Sequence, residues 1–170
     1  QKGGRTDDFF FLESDGDAAR KLVCDLVTTR LPRSYGFDPI RDIQVLCPTK
    51  LGPTGTQALN VELQNLLNPE QKGKPQLQSA SRVFRVGDKV MQVRNNYEIV
   101  WNRIGGEQGV GAYNGDIGIV ESINPRDRSM VVRMDDRRLI YPAENLGELE
   151  IAYAITVHKS QGSEFPAVIL

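Results

Sequence analysis

Strand and helix patterns alternate over residues 9–67, and this alternation constrains the fold more than any other feature of the chain. Residues 9–12 (Phe-Phe-Phe-Leu) are four bulky apolar side chains in a row, the pattern of a strand covered on both faces. Ser14 and Asp17 stand at capping-box spacing, with Asp where Glu is preferred, and predict a helix over 17–31. Its apolar positions Ala19, Leu22, Val23, Leu26 and Val27 recur at three- and four-residue steps, and Pro32 is expected to stop it. Ile43-Gln44-Val45-Leu46 is the next strand, closed by Pro48. A Gly/Pro/Thr loop over 51–55 leads to a second helix near 56–67. There Leu59, Leu63, Leu66 and Leu67 are expected to share a face, with Asn68-Pro69 ending the helix. This order is the signature of a parallel sheet with covering helices.

The texture changes after Glu70. Residues 71–81 are polar and contain Pro and Gly, which reads as a loop or linker. Lys89-Val90-Met91-Gln92-Val93 alternates in period two, 95–115 reads as a glycine-rich loop, and Asn114-Gly115-Asp116 is a strong turn signal. Residues 118–121 and 130–134 pair as a hairpin around Asn124-Pro125-Arg126-Asp127, and a further turn at 135–138 precedes Leu139-Ile140-Tyr141. Strands set this closely suit a small five-stranded barrel. The α/β texture then returns: 151–155 leads into a short helix, and 167–170 (Ala-Val-Ile-Leu) reads as a buried strand. The fold class is α/β: a partial parallel-sheet lobe over 1–86 and 149–170, with a small β-barrel inserted at 87–148. The chain stops inside its last apolar strand, which reads as a piece of something longer.

Charge excludes one class of function. Lys and Arg total 21 against 22 acids, a net −1, so a polybasic coat for nucleic acid is ruled out while a local basic track is not. Five basic residues (Arg82, Arg85, Lys89, Arg94, Arg103) against two acids (Asp88, Glu98) make 82–103 the candidate track, while the first twenty residues carry net −2. No apolar run approaches the ~18 residues of a membrane span, and the start lacks the apolar region of a signal peptide. Cys24 and Cys47 have no metal-like spacing, so neither a disulfide framework nor a metal site is expected, and a reducing, cytosolic setting fits.

Several familiar chemistries are absent from the sequence. The only Gly-Lys pair, Gly73-Lys74, precedes Pro75, so no phosphate-cradling Gly-x-x-x-x-Gly-Lys-Ser/Thr exists. Gly109-Val-Gly111 begins a dinucleotide-like run, but Asn114 occupies its third glycine position. The single histidine, His158, argues against a nucleophilic triad, and the acid pairs Asp7-Asp8 and Asp135-Asp136 suit turns facing water. Trp101 either stacks on a base or packs on the barrel. The informative segment is 154–166, Ala-Ile-Thr-Val-His-Lys-Ser-Gln-Gly-Ser-Glu-Phe-Pro. It gathers hydroxyls, an imidazole, a lysine and an amide at a strand-to-helix transition. Such a helix start suits a phosphate; the plainer reading is a polar cap with solvated Lys159.

That segment, from Thr156 to Pro166, resembles motif V of superfamily 1 DNA helicases in its RecD/TraA-like form. Residues 44–60 (Gln-Val-Leu-Cys-Pro-Thr-Lys-Leu-Gly-Pro-Thr-Gly-Thr-Gln-Ala-Leu-Asn) resemble the motif IV region of that branch. Residues 87–97 and 113–118 resemble the approach to its inserted SH3-like barrel. The match covers nearly the whole chain in motif order. It implies a RecA-like second motor lobe (2A) carrying an SH3-like insert (2B). In such proteins two lobes clamp ATP and single-stranded DNA crosses both. The resemblance places a Walker-bearing lobe before this chain and motif VI after it, so no catalytic residue is expected within it and no ATP hydrolysis by it alone. It implies ATP and Mg2+ as cofactors, held mainly by the first lobe. The implied partners are single-stranded DNA and the duplex junction, with 5′ to 3′ movement, no membrane and a bacterial-type cytoplasm.

Residue roles carry over by position. Pro48 and Thr49 match motif IV positions near DNA, and Lys50 faces the nucleotide cleft where the family often has Arg; lysine keeps the charge without the bidentate fork. Thr156, His158, Lys159 and Ser160 match positions on the DNA backbone, while Asn95 and Asn96 either contact DNA or terminate a strand. Gln161, Gly162 and Glu164 match nucleotide-binding positions, Glu164 toward ribose. The alternatives are a non-catalytic DNA- or protein-binding SH3-like module on an α/β scaffold, for which Arg133 or Arg138 would matter, and the helicase-like domain of a conjugative relaxase.

Overall fold

The computed structural model describes residues 9–170, so Asp7-Asp8 lies outside the described residues. Helix α1 (Gly16–Asp25) continues through a π-helical turn (Leu26–Arg30) into α2 (Leu31–Tyr35) without a break. Pro32 does not stop this helix. A proline ring collides with the carbonyl four residues back, and the wider π turn relieves that clash by bonding the Leu31 N–H to Leu26, five residues back. The stop comes at Gly36, left-handed at φ 74°, whose N–H donates to the Pro32 carbonyl at 2.9 Å. The capping box does not form either: Asp15 is the N-cap and makes no side-chain bond. Nor do residues 9–12 make a strand. They have no regular structure and no strand partner among the described residues, and Phe9 and Phe11 are each 81% exposed.

The lobe continues with β1 (Ile43–Cys47) and α3 (Thr56–Leu67). Leu59 and Leu63 of α3 pack on Val45 and Cys47 of β1, joined by Cys24 and Val27 from the first helix. Leu66 falls outside this face and is 53% exposed. Where a linker is expected, a hairpin forms instead: β2 (Gln76–Ser79) and β3 (Arg82–Arg85). Its polar residues face water while Leu77 and Phe84 are buried, so its composition hides its alternation. Strand β4 (Lys89–Gln92) is buried on both faces. The expected glycine-rich loop is likewise a hairpin, β5 (Asn96–Arg103) with β6 (Gln108–Ala112). Strands β7 (Ile117–Asn124) and β8 (Ser129–Met134) pair around the Asn124-Pro125 turn as the sequence suggests, followed by β9 (Arg137–Tyr141). A 3-10 turn (Ala143–Glu148) then leads into β10 (Leu149–Ile151).

These strands form one antiparallel sheet in the order β10-β4-β7-β8-β9-β5-β6, seven strands where five are expected. Every strand of it, with the β2–β3 hairpin, contributes to a single apolar core, so the sheet wraps around that core as a small SH3-like barrel. The chain returns to the lobe through β11 (Ala154–Thr156), a 3-10 turn (Val157–Ser160) and β12 (Ala167–Ile169). β1 lies between β11 and β12, both parallel to it. β12 is covered on one face only: Ala167 and Ile169 pack inward while Val168 is 50% exposed. The outer edge of β11 is closed by Asn60 of α3, whose amide exchanges two 2.8 Å bonds with the Ala154 backbone. Both cysteines are free and buried, and no described helix is long and apolar enough to cross a membrane.

A third apolar seam joins lobe and barrel. Met91, Val93 and Ile117 of the insert meet Leu46, Ile155 and Phe165 of the lobe.

Candidate nucleic-acid interface

Parallel pairing decides where the two motif-like loops meet. Cys47 stands opposite Thr156, so β1 and β11 end together at one edge of the sheet. The carboxyl ends of parallel strands are where open α/β sheets bind ligands. β1 is followed by Pro48, Thr49 and Lys50, all exposed. The Thr49 hydroxyl donates to the Leu51 carbonyl at 2.9 Å, and the Thr49 and Lys50 carbonyls accept from Thr56 and Gln57 at 3.2 and 3.1 Å. The loop is thereby folded back onto the start of α3, leaving the Lys50 side chain at the surface.

Beside it, the expected helix near Lys159 is a single 3-10 turn of four residues, with Thr156 as an N-cap that makes no side-chain bond. Gln161 returns to extended geometry and Gly162, at φ 81°, turns the chain toward Phe165 and β12. A turn this short carries no helix dipole to hold a phosphate, so any grip here comes from side chains and loop backbone. The Ser160 hydroxyl donates to the Val157 carbonyl at 2.7 Å. Thr156 is half-buried and His158, Gln161, Gly162 and Glu164 are exposed. The edge thus gathers Pro48, Thr49, Lys50, Thr156, His158 and Ser160.

Lys159 points the other way. Its ammonium donates to Asn114 Oδ1 at 2.5 Å and to the Val93 carbonyl at 3.5 Å, both in the insert. The Asn114 N–H donates to Asn95 Oδ1 at 2.9 Å, which links Asn95 to the loop through a residue that reads in sequence only as a turn former. Asn96 goes elsewhere: its amide donates to both oxygens of buried Glu148 at 3.0 Å. Burial opposes ionisation of Glu148, yet amides from Asn96, Asn145 and Gln92, with the Arg94 charge, outweigh it and hold its pKa below the ordinary value.

The residues of the candidate basic track are paired or bonded within the chain rather than presented as free cations. Arg82 pairs with Glu150 at 3.1 Å, Arg94 with Glu148 at 3.5 Å and Arg103 with Glu107 and Asp136 at 2.7 and 3.0 Å. Arg85 donates to Asn65 at 3.2 Å, and buried Lys89 donates to the Ile43 carbonyl at 3.1 Å. Trp101 lies across Gly109, with the guanidiniums of Arg103 and Arg137 at 5.3 and 6.0 Å from its ring. Arg138 makes a two-pronged pair with Glu121 at 2.6 and 2.8 Å.

Sequence reasoning missed a polar hub at the other end of β11, beside the last turn of α3. Asp88 is fully buried, and its carboxylate accepts from Gln64, Asn68 and the Arg85 N–H at 2.7 Å and from the Tyr153 hydroxyl at 2.9 Å. Burial raises its pKa despite these donors. Nothing in the local sequence flags it, because its side-chain partners lie on α3 and just before β11.

The chain is thus a parallel-sheet lobe interrupted by a small barrel, with two loops meeting at the carboxyl edge of the sheet. Residues 59–134 match the family model of the ATP-dependent RecD-like DNA helicase SH3 domain, and 151–170 match the UvrD-like helicase C-terminal domain. Over these residues the chain carries the SH3 domain of the RecD-like DNA helicases and part of a UvrD-like helicase C-terminal domain. It is 34% identical over 127 residues to the ATP-dependent RecD2 DNA helicase of Deinococcus radiodurans, covering 75% of this chain and 16% of that protein. It is 30% identical over 125 residues to the RecBCD enzyme subunit RecD of Mycobacterium tuberculosis, covering 74% of this chain and 19% of the relative. The chain therefore spans less than a fifth of these relatives' length. Among solved structures, that of Bacteroides Pif1 bound to ssDNA aligns with a TM-score of 0.44 at 18% identity, over 87% of this chain and 38% of that one.

Proposed function

We propose that this chain is the second motor lobe, with its inserted barrel, of a longer ATP-dependent helicase that moves 5′ to 3′ along single-stranded DNA toward a duplex junction. The observation that carries the reading is the Cys47–Thr156 register, which sets the 48–50 loop beside the 156–160 turn at the ligand-binding edge of the sheet. In this reading Pro48, Thr49, Thr156, His158 and Ser160 hold the strand's backbone. Such contacts position nucleic acid without reading its sequence. The insert spans about 76–150 on this view, because Leu77 and Phe84 belong to the barrel core.

Lys50, Gln161, Gly162 and Glu164 form one wall of the nucleotide cleft. Their fit to a nucleotide rests on chemistry: the ammonium, amide and carboxylate make no hydrogen bond or ion pair among the described residues and face outward at one edge. Lys50 would meet phosphate oxygens as a point charge and Glu164 would accept from ribose hydroxyls. ATP hydrolysis supplies the drive for movement, with Mg2+ held mainly by the other lobe. The chain by itself lacks the phosphate-cradling Gly-Lys-Ser/Thr pattern, so a DNA-stimulated ATPase assay of purified chain is expected to stay at background.

The test uses the full-length protein. Thr156→Ala and Glu164→Ala abolish ATP-driven unwinding, whereas Arg133→Ala and Arg138→Ala leave it within about twofold. The reverse pattern would make the barrel a binding module and the lobe its scaffold.

A further inference from the structure

We propose that Asn114 is a positioning residue for the 156–160 turn: it draws the Lys159 ammonium inward, so that Lys159 braces the lobe against the insert instead of touching the nucleic-acid backbone. The proposal rests on the reading of that turn as a strand grip. It goes beyond that reading by assigning a role to a residue outside the motif and by moving Lys159 out of the grip.

The turn cannot hold itself. It is one 3-10 turn of four residues, its N-cap Thr156 makes no side-chain bond, and the one side-chain bond within it among the described residues runs from Ser160 back to Val157. Eclipsed 3-10 geometry over so short a span is weakly determined from within. Lys159 supplies the external anchor. Two of its three ammonium donors face acceptors in the insert, Asn114 Oδ1 and the Val93 carbonyl.

Asn114 is itself rigidly held. Its N–H donates to Asn95 Oδ1 at 2.9 Å, the Tyr113 N–H to Asp116 Oδ2 at 3.0 Å, and the Asp116 N–H to the Tyr113 carbonyl at 2.9 Å. Gly115 sits at φ 100°, a conformation other residues rarely adopt, and donates to the carbonyl of fully buried Gln92 at 2.8 Å. The apolar seam of Val93, Ile117, Ile155 and Phe165 joins lobe and insert nearby, while the Lys159–Asn114 bond itself is exposed and the Val93 contact half-buried. A hydrogen bond from a charged ammonium is stronger than one between neutral groups. With Lys159 drawn inward, its exposed neighbour His158 stays at the surface. Removing the Asn114 acceptor therefore misplaces Thr156 and His158 while touching neither.

Single-strand affinity of the full-length protein, measured across a salt series, separates the two roles of Lys159 by sign. A brace predicts that Asn114→Ala and Lys159→Ala each weaken binding about three- to tenfold. It predicts that the double variant is no weaker than either single, and that the salt slope stays at the wild-type value. Asn114→Asp, which keeps an acceptor in place, binds like wild type. Amide hydrogen exchange over 157–161 speeds up in Asn114→Ala at unchanged global stability. A backbone ligand predicts otherwise. Asn114→Ala would then release the ammonium and bind as well as wild type or better, Lys159→Ala would lower the salt slope by about one, and the two effects would add. Any of those three results overturns the proposal. If Thr156→Ala and His158→Ala leave affinity unchanged, the strand grip itself fails, while the exchange measurement still decides whether Asn114 holds the turn.

Discussion

Asp88 and its neighbour Lys89 show how far single residues in this chain depend on distant partners. Each oxygen of Asp88 accepts two bonds, and all four donors lie on segments that the barrel insertion brings together. Asp88→Asn replaces one oxygen with an NH2 group that faces two donors, leaving buried donors without acceptors. We expect a loss of about 2–4 kcal/mol in urea denaturation. Lys89 gives a pH signature: burial pushes its pKa down to about 8 from an ordinary 10.5, against the pull of Asp38 and Asp42. Between those values the folded lysine is neutral while the unfolded one is protonated, so folding releases a proton and stability rises with pH. Buried Cys24 and Cys47, both pushed up to about 11 from 9, act in the opposite sense above pH 9. The wild-type minus Lys89→Met difference isolates the lysine. It should grow in favour of wild type from pH 8 upward in denaturant melts, and a flat difference would contradict the assignment. The sequence shows Gly87-Asp88-Lys89 only as part of a family stretch; apart from the Arg85 N–H, the hydrogen-bond partners of Asp88 and Lys89 lie 20 to 65 positions away.

At the scale of elements, the alternation of strand and helix is legible wherever one stripe or face is apolar. Helix α3 and strands β1, β7, β8 and β9 stand close to where hydrophobic spacing puts them. The misreadings share a cause: a residue that locally breaks structure is absorbed by a neighbour that sequence periodicity does not report. Pro32 is accommodated by the π turn before it. The glycines of 105–111 read as a loop, but Gly109 lies in a strand because the Trp101 ring covers the space its side chain would take. A Cβ there would stand 2.3 Å from the ring. Gly109→Ala should therefore displace Trp101 from its contacts with Arg103 and Arg137. The expected penalty is about 1–3 kcal/mol, the usual range for overpacking, with a shift in tryptophan emission. Unchanged stability and emission would mean that the ring does not rest on Gly109.

At the scale of the molecule, the outline of an α/β lobe with an inserted barrel is visible in the change of texture along the chain. The seam between the two is not, since Met91, Ile117, Ile155 and Phe165 read locally as ordinary strand and loop residues. That seam and the Asp88 hub argue against a lobe that stands alone once the insert, 76–150, is cut away. Its removal would strip the acceptors from Gln64, Asn68 and Tyr153 and expose Leu46 and Ile155. The chain should melt in one cooperative transition, and the cut lobe should show none by circular dichroism; a cooperative melt of the cut lobe would show the units to be separable. The central claim, that loops from β1 and β11 form a strand grip, is tested most directly by fluorescence anisotropy on the full-length protein with several unrelated oligonucleotides. Thr156→Ala and His158→Ala should lower affinity about five- to a hundredfold, alike for every sequence, at unchanged melting temperature. Wild-type affinity for every oligonucleotide in both variants would contradict it.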